Sequence, residues 1–274
     1  MGILAGSQKE QPLHYGEVFA IWGYLGTKRL VVRELEIPFA KLPPGLDGLR
    51  IVQLSDLHVG PHTPKRHLRR VVEAVERANA DLIVLTGDYV DTYNQRPLEP
   101  LITELARLRA PLGVLAVWGN HDYVNRGWHA YLERAFAGIG IRVLRNSGVA
   151  VRPDLYVGGL DDWNLGQPDF AATAGGGAPH QARLLLTHNP DSLAELSPDL
   201  FDLALAGHTH GGQVRLPFVG ALITSSLYGQ AYAGGWVHSG AVPAYVSRGL
   251  GVTMLPARLL CPPELSVFEL SPTG

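Results

Sequence analysis

Two histidines one residue apart, His208 and His210, stand in the stretch LALAGHTHGGQ (203–213), where a short apolar run ends in glycine. In a strand or extended turn, alternate side chains share a face, so the two imidazoles are expected to point the same way. Imidazoles aimed at one point suit a metal ion, although a polar turn after a buried strand reads the same locally. The rest of the chain decides between these readings. Four other apolar runs end in residues of metal-ligand type: Asp56 and His58 after 51–54, Asp88 and Asp91 after 82–85, Asn120, His121 and Asp122 after 114–118, and His188 after 184–186. Five such endings in one chain are hard to explain as satisfied core polar groups. The donors are carboxylate, imidazole and amide oxygen, with no thiolate, which favours Mn, Fe or Zn over Cu(I) or an iron–sulfur cluster. They outnumber the ligands one ion needs. A site for two divalent metal ions accommodates them, with one carboxylate bridging ions roughly 3.5–4 Å apart, and such sites activate a water for in-line displacement at phosphorus.

Bringing five strand ends to one crevice requires strands that run the same way. Behind Pro64, the residues Leu68, Val71, Val72 and Val75 recur at i, i+3, i+4, i+7; Leu98, Leu101, Ile102, Leu105 and Leu108 follow; then Trp128, Tyr131, Leu132, Ala135, Phe136 and Ile139, stopped near Gly140. These spacings predict three amphipathic helices alternating with the apolar runs. A β-α-β-α-β-α order implies parallel strands with right-handed crossovers, and ligands then gather at their carboxyl ends. Further strands are expected over 30–39, where Val32, Leu35 and Ile37 mark one buried face, and over 141–144, 149–151, 155–160 and 265–270. A short helix is expected over 190–196 and a flexible loop over 164–181. The stretch 216–247 contains no Asp, Glu, Lys or Arg. Buried strands with tight loops are the first expectation for it, and a partly apolar lip beside the site is the alternative.

The chain has 274 residues, of which 46% are hydrophobic, enough for one large core or two small ones. Its formal net charge of −2 gives no electrostatic case for a nucleic-acid partner. The single cysteine, Cys261, excludes an internal disulfide framework or a multi-cysteine metal site. Lys9 and Glu10 stand where a signal peptide needs its apolar core, and 19–26 is too short to span a bilayer. The expectation is a cytoplasmic protein, with peripheral membrane contact left open and no oligomeric state implied.

The blocks DLH (56–58), GDYVD (87–91), GNHD (119–122), TH (187–188) and GHTH (207–210) occur in the order that resembles the calcineurin-like metallophosphoesterase superfamily. The resemblance implies an α/β, four-layer αββα sandwich of two mixed β-sheets with flanking helices. Residues 1–48 would be an N-terminal segment and edge strand, and 49–274 the metallophosphoesterase domain. It implies one ion held by Asp56, His58, Asp88 and His210, and a second by Asp88, Asn120, His188 and His208. His121 would act near the leaving-group oxygen, oriented by Asp91. The longer string GHTHGGQVRLP, with SRGLG (247–251) and CPPE (261–264), resembles a narrower bacterial branch. That branch contains small phosphodiesterases and relatives of the UDP-2,3-diacylglucosamine pyrophosphatases, many of them membrane-attached or exported. Thr92 and Tyr93 stand where Ser/Thr protein phosphatases carry Arg-Gly, and Asp122 where they carry glutamate, so that branch is disfavoured.

Arg248 and Arg215 are candidates for gripping phosphate, or else surface salt bridges. His14, His62, His67, His129, His180 and His238 belong to no block and are expected in local structure, His62 being nearest in sequence to a ligand. The expected function is a dinuclear-metal phosphodiesterase or pyrophosphatase, manganese-supported, acting on a small-molecule or lipid-linked phosphodiester. A nuclease of the same superfamily and a non-catalytic scaffold stand behind it. The balanced charge argues against the nuclease, and a scaffold would not need every ligand that is present.

Overall fold

The computed structural model describes residues 26–39, 42–92, 94, 97–124, 126–237 and 242–272; His14 and His238 lie outside them. In chain order the strands are β1 (Val31–Phe39), β2 (Arg50–Leu54), β3 (Leu82–Thr86), β4 (Val114–Val117), β5 (Ile141–Val143), β6 (Ser147–Arg152) and β7 (Leu155–Gly159). They continue as β8 (Ala182–Leu186), β9 (Leu203–Ala206), β10 (Arg215–Leu216), β11 (Gly220–Ala221), β12 (Gly235–Val237), β13 (Ala244–Val246) and β14 (Glu264–Pro272). The helices are α1 (Lys65–Arg77), α2 (Glu99–Leu105), α3 (Asn120–Val124), α4 (Arg126–Gly138) and α5 (Phe170–Ala174).

Two six-stranded sheets result, ordered β1-β14-β2-β3-β4-β5 and β12-β13-β9-β8-β7-β6. In the first, β2 to β5 run parallel, as the alternating helix and strand pattern predicts, while β14 lies antiparallel to β2 and parallel to the edge strand β1. In the second, β13, β9, β8 and β7 run parallel, flanked by antiparallel β12 and β6. Both sheets are therefore mixed. The pleat explains the layers, because successive side chains leave opposite faces. In β3, Ile83 and Leu85 meet Val71, Val72 and Leu101 of the outer helices, whereas Leu82 and Val84 face the second sheet across a core with Val157 and Leu184. Each such fully buried aliphatic side chain contributes about 1.5–3 kcal/mol. The outer face of the second sheet packs on short elements, with Leu185 and Ala204 against Ala174 of α5 and Leu193 of a 3-10 turn at Pro190–Glu195.

Several expectations need correcting. Val32 is 46% exposed, because it has the opposite parity to Leu35 and Ile37 on the pleat. The second helix ends at Leu105, and Leu108 is buried beyond it. The loop over 164–181 contains α5, capped by Asp169, whose side chain accepts from Ala172 N. The uncharged stretch divides in two. Its second half supplies buried Tyr232, Val237 and the whole of β13, as expected, but Phe218, Ile223 and Leu227 in its first half stand exposed. Among the described residues no helix is long and apolar enough to cross a membrane.

Candidate metal centre

The carboxyl ends of β2, β3, β4, β8 and β9 meet along one edge of the sandwich. The pairing continues past the strands into the loops: Asp56 N donates to Gly87 O, His58 N to Asp88 O, and Gly207 N to His188 O, each within 3.0 Å. Gln53 ties the two sheets at this edge, donating to Thr86 Oγ1 and to Ala206 O. Asp56, His58, Asp88, His208 and His210 all hold positive φ, between 41° and 74°. Left-handed backbone is uncommon outside glycine and gathers at functional sites, where the surrounding structure enforces it. It also replaces the expected geometry of the His-x-His pair. The two imidazoles do not share a face by strand alternation; each is swung inward by its own left-handed turn.

The result is a pair of cages around one oxygen. Asp88 Oδ2 lies 3.4 Å from His58 Nε2 and 3.2 Å from His188 Nε2, while Asp88 Oδ1 accepts from His121 N at 2.9 Å. On the first side, His210 Nε2 stands 3.0 Å from His58 Nε2 and 3.4 Å from Asp56 Oδ1. On the second, His188 Nε2 stands 3.2 Å from Asn120 Oδ1 and 3.2 Å from His208 Nδ1. Ligand atoms about 2.1 Å from one ion are separated by roughly 3.0–3.4 Å in octahedral or tetrahedral geometry, so these spacings fit metal coordination. Without metal, one ring N–H of each facing pair can donate to the other; with both lone pairs turned inward, the same pairs face a common cation. Backbone carbonyls fix the tautomers to match. His188 Nδ1 donates to Thr86 O and His208 Nε2 to Ser225 O, leaving His188 Nε2 and His208 Nδ1 as the free donors into the centre.

The electrostatics ask for positive charge at the same place. Burial opposes protonation of His188, yet the charge and hydrogen bond of Asp88, reinforced by Asp56 and Asp162, push it up to about 10. Burial likewise resists ionisation of Asp88, but His188 and His58 together hold it well below the usual carboxylate range. His208 goes the other way, down to about 4 through burial and the nearby His188 charge. A buried field that draws a proton onto one imidazole and expels it from the next suits a bound divalent cation. The donor set, carboxylate and imidazole with one amide oxygen, fits such an ion.

The centre rests on residues that do not face it. Asp122, fully buried, accepts from Asp88 N, Tyr89 N and Gly119 N, each at 2.9 Å, and so clamps the ends of β3 and β4 together. Burial and the Asp88 charge push its carboxyl up to about 7. Asp122→Ala leaves three buried N–H groups unpaired, and the metal-loaded protein is expected to lose about 3 kcal/mol or more, seen by calorimetry as a fall in Tm of roughly 6–12 °C. Gly207 makes room of another kind, since a Cβ there would collide with Ser55 Oγ and Asp56 Oδ2. Gly207→Ala therefore keeps every candidate ligand yet should weaken metal affinity by about 10–100-fold, as displaced supports of ligands do; a metal titration reads this directly.

Sequence reasoning missed two buried supports. Arg258, 1% exposed, spends its guanidinium on the carbonyls of Gly249, Gly251 and Cys261 and lies 3.2 Å from His210 Nδ1, pinning the GHTH turn to the 249–251 loop. Asp162 accepts from Asn164 N and Leu165 N, and its charge acts on His188. Neither lies in a motif block, and no local pattern marks a residue whose partners are distant carbonyls.

The remaining candidates fall at the rim. His121 is partly open, its side chain 23% exposed, with Nε2 4.0 Å from Asp88 Oδ2 and its ring edge-on to His58. The hydroxyl of Thr92, rather than the expected Asp91 carboxylate, meets His121 Nδ1; Asp91 is buried nearby and acts on His121 through its charge. Arg248 Nη1 lies 3.4 Å from Glu264 Oε2, and Arg215 Nη1 donates to Gly211 O, so both guanidinia are engaged within the protein. His67 Nε2 bonds Leu250 O, His180 Nε2 bonds Pro153 O, and His129 stacks on Tyr123; these three are structural.

Comparison with known proteins agrees with this geometry. Residues 49–212 match the family described as calcineurin-like phosphoesterase. The chain is 37% identical to the uncharacterized metallophosphoesterase YkuE of Bacillus subtilis, over 92% of this chain and 89% of that one. It is 32% identical to a transmembrane protein with metallophosphoesterase domain from Danio rerio, over 92% of this chain, and covers 60% of that longer protein. It is 29% identical to the UDP-2,3-diacylglucosamine pyrophosphatase LpxG of Chlamydia trachomatis, over 72% of this chain and 74% of that one. A match that takes in every strand end of the centre, with a relative similar along almost the whole chain, makes this protein a member of the calcineurin-like phosphoesterase family.

Proposed function

We propose that the protein hydrolyses a phosphodiester or pyrophosphate bond in a small or lipid-linked substrate, with two divalent ions, manganese first among them. The observation that carries this reading is Asp88 Oδ2, one carboxylate oxygen shared between two imidazole-bearing cages. Asp56, His58, Asp88 and His210 would hold one ion, and Asp88, Asn120, His188 and His208 the other. When bound, such a pair supplies an activated water and charge stabilisation for the displaced oxygens. The chain's own residues do the rest. Carbonyl partners hold His188 and His208 in the required tautomers, buried walls exclude bulk water, and His121 stands at the open side, placed to hydrogen-bond or protonate a leaving oxygen. The similarity to LpxG supports a pyrophosphate-containing, lipid-linked substrate within this class. The net charge of −2 favours such a substrate over nucleic acid.

The test is a substrate panel with Mn²⁺ present: bis-p-nitrophenyl phosphate, cyclic nucleotides, nucleotide sugars, glycerophosphodiesters and lipid-linked UDP-sugars. Turnover of bis-p-nitrophenyl phosphate and of at least one pyrophosphate or phosphodiester substrate is expected. Fully metallated protein that cleaves none of them overturns the reading.

A further inference from the structure

Nine of the twelve large apolar side chains exposed among the described residues lie in two short stretches, 218–228 and 254–260. The stretches are neighbours. β10 and β11 form a hairpin with Phe218 at its tip. Arg215 N donates to Leu259 O, Leu259 N donates to Gln213 O, and the Gln213 side chain bonds both backbone groups of Thr253. Single apolar residues on a surface are ordinary, but a clustered set marks an interaction site. The backbone adds an independent sign. Phe218, Met254 and Leu260 hold φ values of 65°, 56° and 51°, left-handed conformations that bulky side chains adopt only at a cost. The same kind of strain that turns the ligand candidates inward here turns three apolar side chains outward.

A third feature defines the partner's chemistry. Val252, two residues before Met254, lines a cavity of about 320 Å³ that is also lined by Lys28, His62, Arg66 and Arg70 and, among the described residues, by no Asp or Glu. The cavity opens at the start of α1, which has no side-chain cap and no acidic residue in its first turn. The helix amides and dipole therefore add to the positive field. Apolar tips bordered by concentrated positive charge complement the acyl boundary and headgroup phosphates of an anionic bilayer.

We propose that Phe218, Leu227 and Met254 insert into an anionic phospholipid surface while Arg66 and Arg70 contact its headgroup phosphates. The docking loop is joined to the metal centre, since Ser225, two residues from Leu227, is the carbonyl that holds His208. Docking thus sets the centre beside a lipid plane. In giving the lipid-linked reaction a route to its substrate, it rests on the function proposed above.

The experiment is co-sedimentation of metal-loaded protein with phosphatidylcholine vesicles, with and without phosphatidylglycerol, alongside hydrolysis of water-soluble bis-p-nitrophenyl phosphate. Wild type is expected to bind the anionic vesicles about tenfold or more tightly than the neutral ones, and less so as salt rises. The triple variant Phe218→Ser, Leu227→Ser, Met254→Ser should lose about tenfold or more in partitioning. Arg66→Glu with Arg70→Glu should lose the preference for anionic vesicles, and both variants should keep the wild-type rate on the soluble substrate. Wild type that hydrolyses this substrate but binds no vesicle overturns the docking alone; vesicle binding without hydrolysis of any substrate overturns the reaction alone. A wild-type dimer that the triple substitution makes monomeric assigns the patch to a second copy and also overturns the docking.

Discussion

Asp88→Asn is expected to reduce bound metal from two ions per chain to one or fewer and to slow hydrolysis by at least about 10³-fold, equivalent to roughly 4 kcal/mol of lost transition-state stabilisation. The amide keeps the shape of the side chain and can still accept from His121 N through its oxygen, so the loop is retained. What it loses is the charge shared between His58 and His188. A separate readout tests the electrostatics without metal. Burial alone would lower the His188 pKa, and Asp88 is the largest influence raising it to about 10. In metal-free wild type, His188 should stay protonated well above neutral pH by NMR titration. In Asp88→Asn it should titrate at markedly lower pH, because removal of a buried negative charge favours the neutral ring. Unchanged metal stoichiometry, or an unchanged His188 titration, would sink the bridging assignment.

How far the centre could be read from sequence depends on the kind of physics that places each residue. Asp56, Asp88, Asn120, His188 and His208 were legible because each directly follows an apolar run, and parallel strands bring such endings to one edge. Their inward aim was not legible: left-handed backbone at Asp56 or His210 is imposed by neighbouring loops, and residue type does not announce it. Asp122 was visible as a block member, but its clamp on Asp88 N and Gly119 N exists only once β3 and β4 are paired. Composition left two readings of 216–247, buried strands or an apolar lip, and could not divide the stretch between them; only the folded hairpin turns Phe218 and Ile223 outward. The parity slip at Val32 is smaller and similar in origin, since alternation over a strand fixes a face only when every apolar residue keeps one phase.

His121→Ala is expected to leave both metal sites filled while lowering kcat by about 10²–10³-fold, with little change in KM, the pattern of a group that acts on the transition state. It clusters with His58 and Asp88 but stands at their open side. It is the open imidazole of the cluster, 4.0 Å from Asp88 Oδ2 by Nε2, and its Nδ1 is engaged by the Thr92 hydroxyl. Burial lowers its pKa, and the negative charge of Asp88, which raises it, only partly offsets this, so at neutral pH the ring favours its neutral form. A neutral ring can either donate one hydrogen bond to developing charge or take up a proton and pass it on. Leaving groups distinguish the two. A p-nitrophenolate departs without needing a proton, whereas an alkoxide does not, so a proton donor at His121 predicts a larger loss for alkyl phosphodiesters than for bis-p-nitrophenyl phosphate. Equal losses on both substrates assign His121 to charge stabilisation instead. Loss of metal together with rate, measured by metal analysis of the variant, would make His121 a ligand and remove it from either role.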